Sequence, residues 1–219
     1  MSAKKKQKTA KRVVKVVCVT GTPGVGKTTI CCLVKERLGD EKVVLLNVGD
    51  LIKEKKLYSE WDDEMNASIF DEDLVTDELK RIAKRCDKDG IKGLLIDFHS
   101  VGFIPAKLVD HVIAVRADTE TLWQRLEKRG YKESKIQENV QAEIFMESFT
   151  EAIEEFGEEI AEEMPNNSEP ERDAIVEKLC SLFNADLDRS FEKSRRLRPN
   201  VFEPRQHGIV HSVRYRKPR

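Results

Sequence analysis

Residues 12–29 read RVVKVVCVTGTPGVGKTT. The first nine, Arg12 to Thr20, are rich in β-branched residues, which pack well on a pleated surface and predict a buried strand. The strand runs into Gly21-Thr22-Pro23-Gly24-Val25-Gly26-Lys27-Thr28, which fits G-x-x-x-x-G-K-S/T in full. Glycines let a backbone curl so that successive N–H groups face one point, and such a nest binds anions. Lys27 to Leu38 reads as a helix closed by Gly39. A helix starting at the loop adds the positive end of its dipole. Gly21, Gly24, Val25, Gly26, Lys27, Thr28 and Thr29 are therefore candidate contacts to nucleotide phosphates. In such loops the lysine reaches the β- and γ-phosphate oxygens and the hydroxyl holds magnesium. That assigns Lys27 to the phosphates and Thr28 to the metal, with Thr29 near the α-phosphate. ATP and Mg²⁺ are the expected ligands.

Outward from the loop, apolar strand patterns alternate with helical ones. Val43–Asn47, Gly93–Asp97 and His111–Val115 predict strands, and Glu159–Met164 a fifth, edge strand ended by Pro165. Helices are expected over Asp71–Cys86, Thr119–Arg129, Val140–Phe156 and Pro170–Asp186. The helix over Val140–Phe156 would carry Ile144, Phe145, Phe149, Ile153 and Phe156 on one side. Val48 to Phe70 is polar and helical in pattern, and Gly130 to Glu138 reads as a charged loop. Alternation of this kind implies an α/β fold with a five-stranded parallel sheet flanked by helices.

Charge is segregated along the chain. Residues 1–16 hold seven Lys/Arg and no acid, and residues 189–219 hold ten Lys/Arg against Glu192 and Glu203. The intervening residues 17–188 hold 22 basic and 38 acidic side chains, a net charge of about −16. Residues 1–12 and 189–219 read as basic tails around a domain over 13–188. Such tails are solvated surface, a candidate RNA contact, or a nuclear import signal. The acidic centre suits a basic protein partner better than nucleic acid. The five cysteines (Cys18, Cys31, Cys32, Cys86, Cys180) form no CxxC pair and predict ordinary buried free thiols in a reducing compartment. No apolar run reaches membrane-spanning length, and the Lys-rich start lacks an apolar signal core, so no membrane association is expected.

Three further side-chain groups bear on chemistry. Asp97 closes the strand Gly93–Asp97, where an acid in this class of fold holds the magnesium shell, although a turn-capping role fits the same position. His99, two residues on, falls on the same side of an extended chain and is either structural or orients a water or acceptor. Arg125 and Arg129 are four apart and share a helix face, either as surface residues or as a clamp on transferring phosphates.

These segments resemble the adenylate kinase isoenzyme 6 family, also described as coilin-interacting nuclear ATPases. The resemblance rests on TGTPGVGKTT, NVGDLIKE, LYSEWDDE, FDEDLVTDEL, LIDFH, VRADTETLWQRLEKRGY, ENVQAEIF and MPNN, in order over residues 14–185. It implies a P-loop NTPase of the nucleoside-monophosphate-kinase type. The monophosphate-binding segment would span about 47–70 and the lid about 128–138. It implies Lys27, Asp97, His99, Arg125 and Arg129 as catalytic, with Thr28 and Asp97 on the metal. Arg125, Arg129 and Asn167 would border the ATP, and Gly49, Asp50, Lys53 and Lys107 the AMP. Lys53 and Lys107 stand where adenylate kinases carry arginine, and a lysine cannot fork to phosphate. The implied activities are adenylate kinase and slow ATPase. The implied setting is late small-ribosomal-subunit (18S rRNA) maturation, with a small-subunit ribosomal protein and pre-ribosomal particle as partners, a monomeric chain, and a location in nucleus and cytoplasm. An assembly factor whose kinase turnover is incidental is the alternative.

Overall fold

Consecutive apolar residues in four short segments (KVVCVT, VVLLN, GLLID, HVIAVR) present one side chain up and the next down, so each segment needs a core on both faces. The computed structural model describes residues 13–62 and 67–196 and satisfies this with helices on either side of one sheet. In chain order the elements are β1 Lys15–Thr20, α1 Lys27–Leu38, β2 Val43–Asn47, α2 Val48–Lys55, β3 Tyr58–Asp62, β4 Ala67–Phe70, α3 Glu72–Asp89 and β5 Gly93–Asp97. After a 3-10 turn at Ala106–Leu108 come β6 His111–Arg116, α4 Thr119–Lys128, α5 Glu133–Ile144, α6 Glu147–Phe156, β7 Ala161–Pro165 and α7 Glu169–Arg196.

The parallel sheet runs β2-β5-β1-β6-β7. The chain steps from β1 out to the edge, returns through β5, and then builds the other half. That reversal opens a crevice beyond the carboxyl ends of β1 and β5, where ligands bind in open α/β sheets. Register fixes what meets there: Val19 pairs with Asp97, and Asn47 pairs with Asp97 from the other side. Val16, Cys18, Leu94 and Ile96 face one core with Leu79, Val101 and Phe156. Val17, Val19, Leu95 and Ile113 face the other, with Ile30, Val34, Leu122 and Leu179. Fully burying a side chain of this size contributes roughly 1.5–3 kcal/mol. Of the five cysteines, Cys32 is exposed on α1, against the expectation that all are buried.

Four expectations about local structure are corrected. Val48–Phe70 is not one helical segment. Asn47 caps α2, its side chain accepting the Asp50 N–H at 3.0 Å, and Lys56 ends it with φ 55°. The chain then pairs β3 with β4 in an antiparallel ladder. Tyr58, Trp61, Ile69 and Phe70 are strand formers, and a partner across a short turn lets that preference prevail. Phe70 closes the hairpin edge-to-face against Phe98 and Phe103, with centroids 5.7 and 5.2 Å away.

The charged loop expected over Gly130–Glu138 is instead a three-residue turn, and α5 begins at Glu133. The single helix expected over Val140–Phe156 breaks at Met146, which adopts φ 58°. The break changes the phase, so Ile144 and Phe145 are exposed (59% and 62%) while Ala152 and Phe156 enter the core. Finally, α7 runs to Arg196, ten residues past the expected end at Asp186. The tail reading for residues 1–12 lies outside the described residues; of the tail expected over 189–219, residues 189–196 continue α7 and 197–219 lie outside the described residues.

Candidate active site

The phosphate loop joins β1 to α1 and is held from two sides. Gly24 (φ 104°) and Gly26 (φ 107°) adopt a backbone conformation that side chains resist. Space forbids a side chain as well. A Cβ on Gly26 would lie 2.4 Å from Asn166 Nδ2, and one on Gly24 would lie 2.8 Å from Leu122 and Leu126. The Val25 carbonyl accepts from Asn166 Nδ2 at 2.7 Å and from Arg125 Nη1 at 3.1 Å. The loop is thus tied to α4 and to the turn after β7 before any ligand arrives.

Lys27 folds back on its own loop, donating to the Gly21 carbonyl at 2.6 Å and the Thr22 carbonyl at 3.0 Å. Burial pushes its pKa down to about 8, with Asp97 opposing the shift. A buried ammonium whose partners are two neutral carbonyls is ready to exchange them for phosphate oxygens, which offer full charge. Thr28 Oγ1 donates to Asp97 Oδ2 at 2.7 Å, and Asn47 Nδ2 donates to the same oxygen at 2.9 Å. A hydroxyl whose proton points at a carboxylate turns its lone pairs outward. Thr28 and Asp97 form a hard oxygen pair of the kind magnesium takes, with water and phosphate completing the shell. The residues therefore fit the expected ion.

Two cavities flank the loop. One, of about 580 Å³, is lined by Gly24, Gly26, Thr29, Arg125, Arg129 and Asn167, together with Lys128, Asn166 and Arg172. It gathers most of the residues expected around ATP. Asn167 Oδ1 accepts the Asp118 N–H at 2.7 Å and so fixes the rim of this cavity. Burial, then the charge of Arg129, lowers the pKa of Arg125 from its ordinary value. Arg125, Lys128, Arg129 and Arg172 outnumber the single carboxylate of Glu169 in this lining, which suits an anion.

The other cavity, of about 530 Å³, is lined by Thr22, Pro23, His99, Ser100, Lys135 and Asn139, with Glu138, Glu147 and Glu151. His99 is exposed, and its ring lies tilted by 48° against Phe98 with centroids 4.3 Å apart. Partial withdrawal from water, then the charge of Lys27, holds its pKa below the ordinary value, with Glu151 opposing. The imidazole is accordingly neutral near pH 7. Glu151 also accepts from Ser100 Oγ at 2.8 Å and from the Val101 N–H at 2.9 Å, bracing the segment that carries His99.

The residues expected around AMP are not gathered in this second cavity. Gly49, Asp50 and Lys53 lie on α2, and Lys107 lies in the 3-10 turn, with both lysines exposed. Sequence reasoning missed Glu143 and Glu151, and it gave Asn47 no contact of its own. Glu143 had a readable signal: Ile136, Asn139 and Glu143 recur at helical spacing and are all buried, so polar residues occupy the inner stripe of α5.

A family profile described as an AAA domain matches residues 17–146. A Plasmodium falciparum protein named adenylate kinase isoenzyme 6 homolog is 36% identical over 140 residues, 59% of this chain and 73% of that one. Proteins of the same name match from Caenorhabditis elegans (37% over 123 residues) and Schizosaccharomyces pombe (38% over 124 residues). Each match covers 56% of this chain, and 64% and 65% of those proteins. A shikimate kinase from Bacteroides thetaiotaomicron superposes with a TM-score of 0.50 at 12% identity, over 78% of this chain and 98% of that one, a likeness of fold alone. With the loop, the Asp97 pairing and these matches in agreement, the chain belongs to the adenylate kinase isoenzyme 6 family.

Proposed function

We propose that the protein transfers the γ-phosphoryl group of ATP to AMP, giving two ADP, and hydrolyses ATP slowly when water takes the acceptor place. The observation that carries this is the pair of cavities bordered by one phosphate loop, one lined by Thr22 and Pro23 and the other by Gly24, Gly26 and Thr29, with Lys27 buried in the same loop. ATP lies on the arginine side, its triphosphate along the loop N–H groups and the start of α1. Lys27 leaves the Gly21 and Thr22 carbonyls for the phosphate oxygens. Thr28 and Asp97 would hold magnesium, which would supply charge neutralisation to the phosphates. Arg125 and Arg129 neutralise charge that develops on the transferring group.

In transfer, the bond from the γ-phosphorus to the β,γ-bridging oxygen breaks, and a bond to an AMP phosphate oxygen forms. That acceptor oxygen is already an anion and needs no base. A water attacking instead must lose a proton, and neutral His99 can orient it and accept that proton. The two reactions therefore make different demands on one side chain.

The test is product analysis of purified protein with ATP and magnesium, with and without AMP. ADP formed with AMP at a rate far above the ATP-only rate supports the transferase reading. Equal rates would leave an ATPase on a kinase fold.

A second reading is favoured by charge. Residues 17–188 carry a net charge of about −16, and three glutamates line the cavity beside His99. A basic partner, such as a small-subunit ribosomal protein within a pre-ribosomal particle, would be drawn there. ATP turnover would then serve assembly, in nucleus and cytoplasm, and the basic tails would contact RNA. Capture of such a protein that does not differ among ATP, ADP and no nucleotide would remove the basis for an ATP-driven switch.

A further inference from the structure

A buried carboxylate is costly unless it is paired, and Glu143 is 3% exposed. It lies in the last turn of α5, and its two oxygens serve different elements. Oε2 accepts the hydroxyl proton of Thr22 in the phosphate loop. Oε1 accepts from Arg116 Nε at 2.5 Å and from the Ala117 N–H at 3.1 Å, both at the end of β6. Arg116 also donates to the Glu143 backbone carbonyl at 2.9 Å, fixing the helix end as well as the side chain.

Thr22 looks two ways. Its hydroxyl faces Glu143, and its carbonyl is one of the two that hold Lys27. The same α5 carries Lys135, Glu138 and Asn139 to the wall of the cavity beside His99. Its start follows Arg129 after a turn of three residues. One hydrogen-bonded chain thus runs from Lys27 through Thr22 and Glu143 to the helix that bounds the acceptor side.

We propose that Glu143 is a positioning residue that couples the phosphate loop to α5. This rests on the reading that the loop binds ATP. When Lys27 releases the Thr22 carbonyl for phosphate, the Thr22 peptide adjusts, and its hydroxyl tie carries the adjustment to α5. Binding on the arginine side thereby sets the wall of the opposite cavity. Neither Thr22 nor Glu143 touches the reacting atoms through this tie.

The experiment is hydrogen–deuterium exchange on the full chain with and without ATP and magnesium, comparing wild type, Thr22→Val, Thr22→Ser and Glu143→Gln. In the wild type, ATP slows exchange in residues 21–29 and in residues 133–146. Thr22→Val keeps the first effect and loses the second, Thr22→Ser restores it, and kcat for transfer to AMP drops about tenfold in the valine variant. If ATP protects α5 as well in Thr22→Val as in the wild type, the coupling is overturned. If ATP protects neither segment in the wild type, the ATP reading fails and this proposal falls with it. Should Glu143→Gln fail to fold, the two Thr22 variants decide the matter alone.

Discussion

The two sides of the phosphate loop are built differently. On the arginine side, Asn166 and Arg125 bond directly to the Val25 carbonyl, and Asn167 pins the Asp118 N–H. Those groups hold their geometry before a ligand arrives. On the His99 side, the histidine is exposed, glutamates line the wall, and Lys53 and Lys107 sit outside the cavity. Under the proposed assignment, the donor nucleotide would meet a preorganised surface, whereas an anionic acceptor would have to bring the lysines in or tolerate carboxylates. Preorganisation of charge around the group that changes least is economical, because only the acceptor then has to drive rearrangement.

The largest expected effect comes from removing what both sides share. Lys27→Met should lower transfer to AMP and ATP hydrolysis together, by about 10³-fold, since its charge serves both. Loss of one reaction alone, read from ADP and phosphate formation in parallel, would show that the two sides do not meet at Lys27. A sharper cut between the sides comes from His99→Ala. Phosphate release with ATP alone should fall about 10²-fold, while ADP formation with AMP stays within a few-fold of wild type. An equal loss in both would assign His99 to positioning rather than to water.

Next in size is the pH dependence of ATP binding. Burial holds the pKa of Lys27 at about 8, and phosphates restore a value nearer the ordinary one. Below pH 8 the lysine is charged with or without ATP, so affinity is flat. Above it, binding takes up a proton, and affinity should weaken by up to about tenfold per pH unit. Calorimetry in buffers of different ionisation enthalpy detects that proton directly. The smallest effects are expected for Lys53→Ala and Lys107→Ala. Exposed lysines contribute little per contact, so the KM for AMP should rise only a few-fold in each. A loss of a hundredfold would mean that the acceptor side closes far more tightly than it stands here.

The same contrast explains what could be read in advance. The loop, Lys27 and Thr28 are contiguous, and Asp97 ends a strand that pairs with β1, so sheet register delivers it to Thr28. Arg125 reaches the loop because a helix packed on the sheet presents one face to it. Glu143 and Asn166 meet the loop across 121 and 141 residues; helical spacing can hint that Glu143 faces inward, but nothing local names its partner. The hairpin of β3 and β4 was hidden because short polar strands gain their stability only from each other. The break at Met146 follows from a side chain's destination: with Glu143 committed to the interior, α5 and α6 cannot share one apolar face.

The central claim is that one loop serves two nucleotide places at once. A compound with two adenosines joined by five phosphates would span both, and its affinity can be compared with that of ATP by calorimetry in magnesium. Simultaneous occupation predicts binding at least about 10²-fold tighter than ATP, with the excess reduced about tenfold when Lys53 and Lys107 are both replaced by alanine. Binding no tighter than ATP itself would mean that the His99 side does not receive a nucleotide, and would contradict the account.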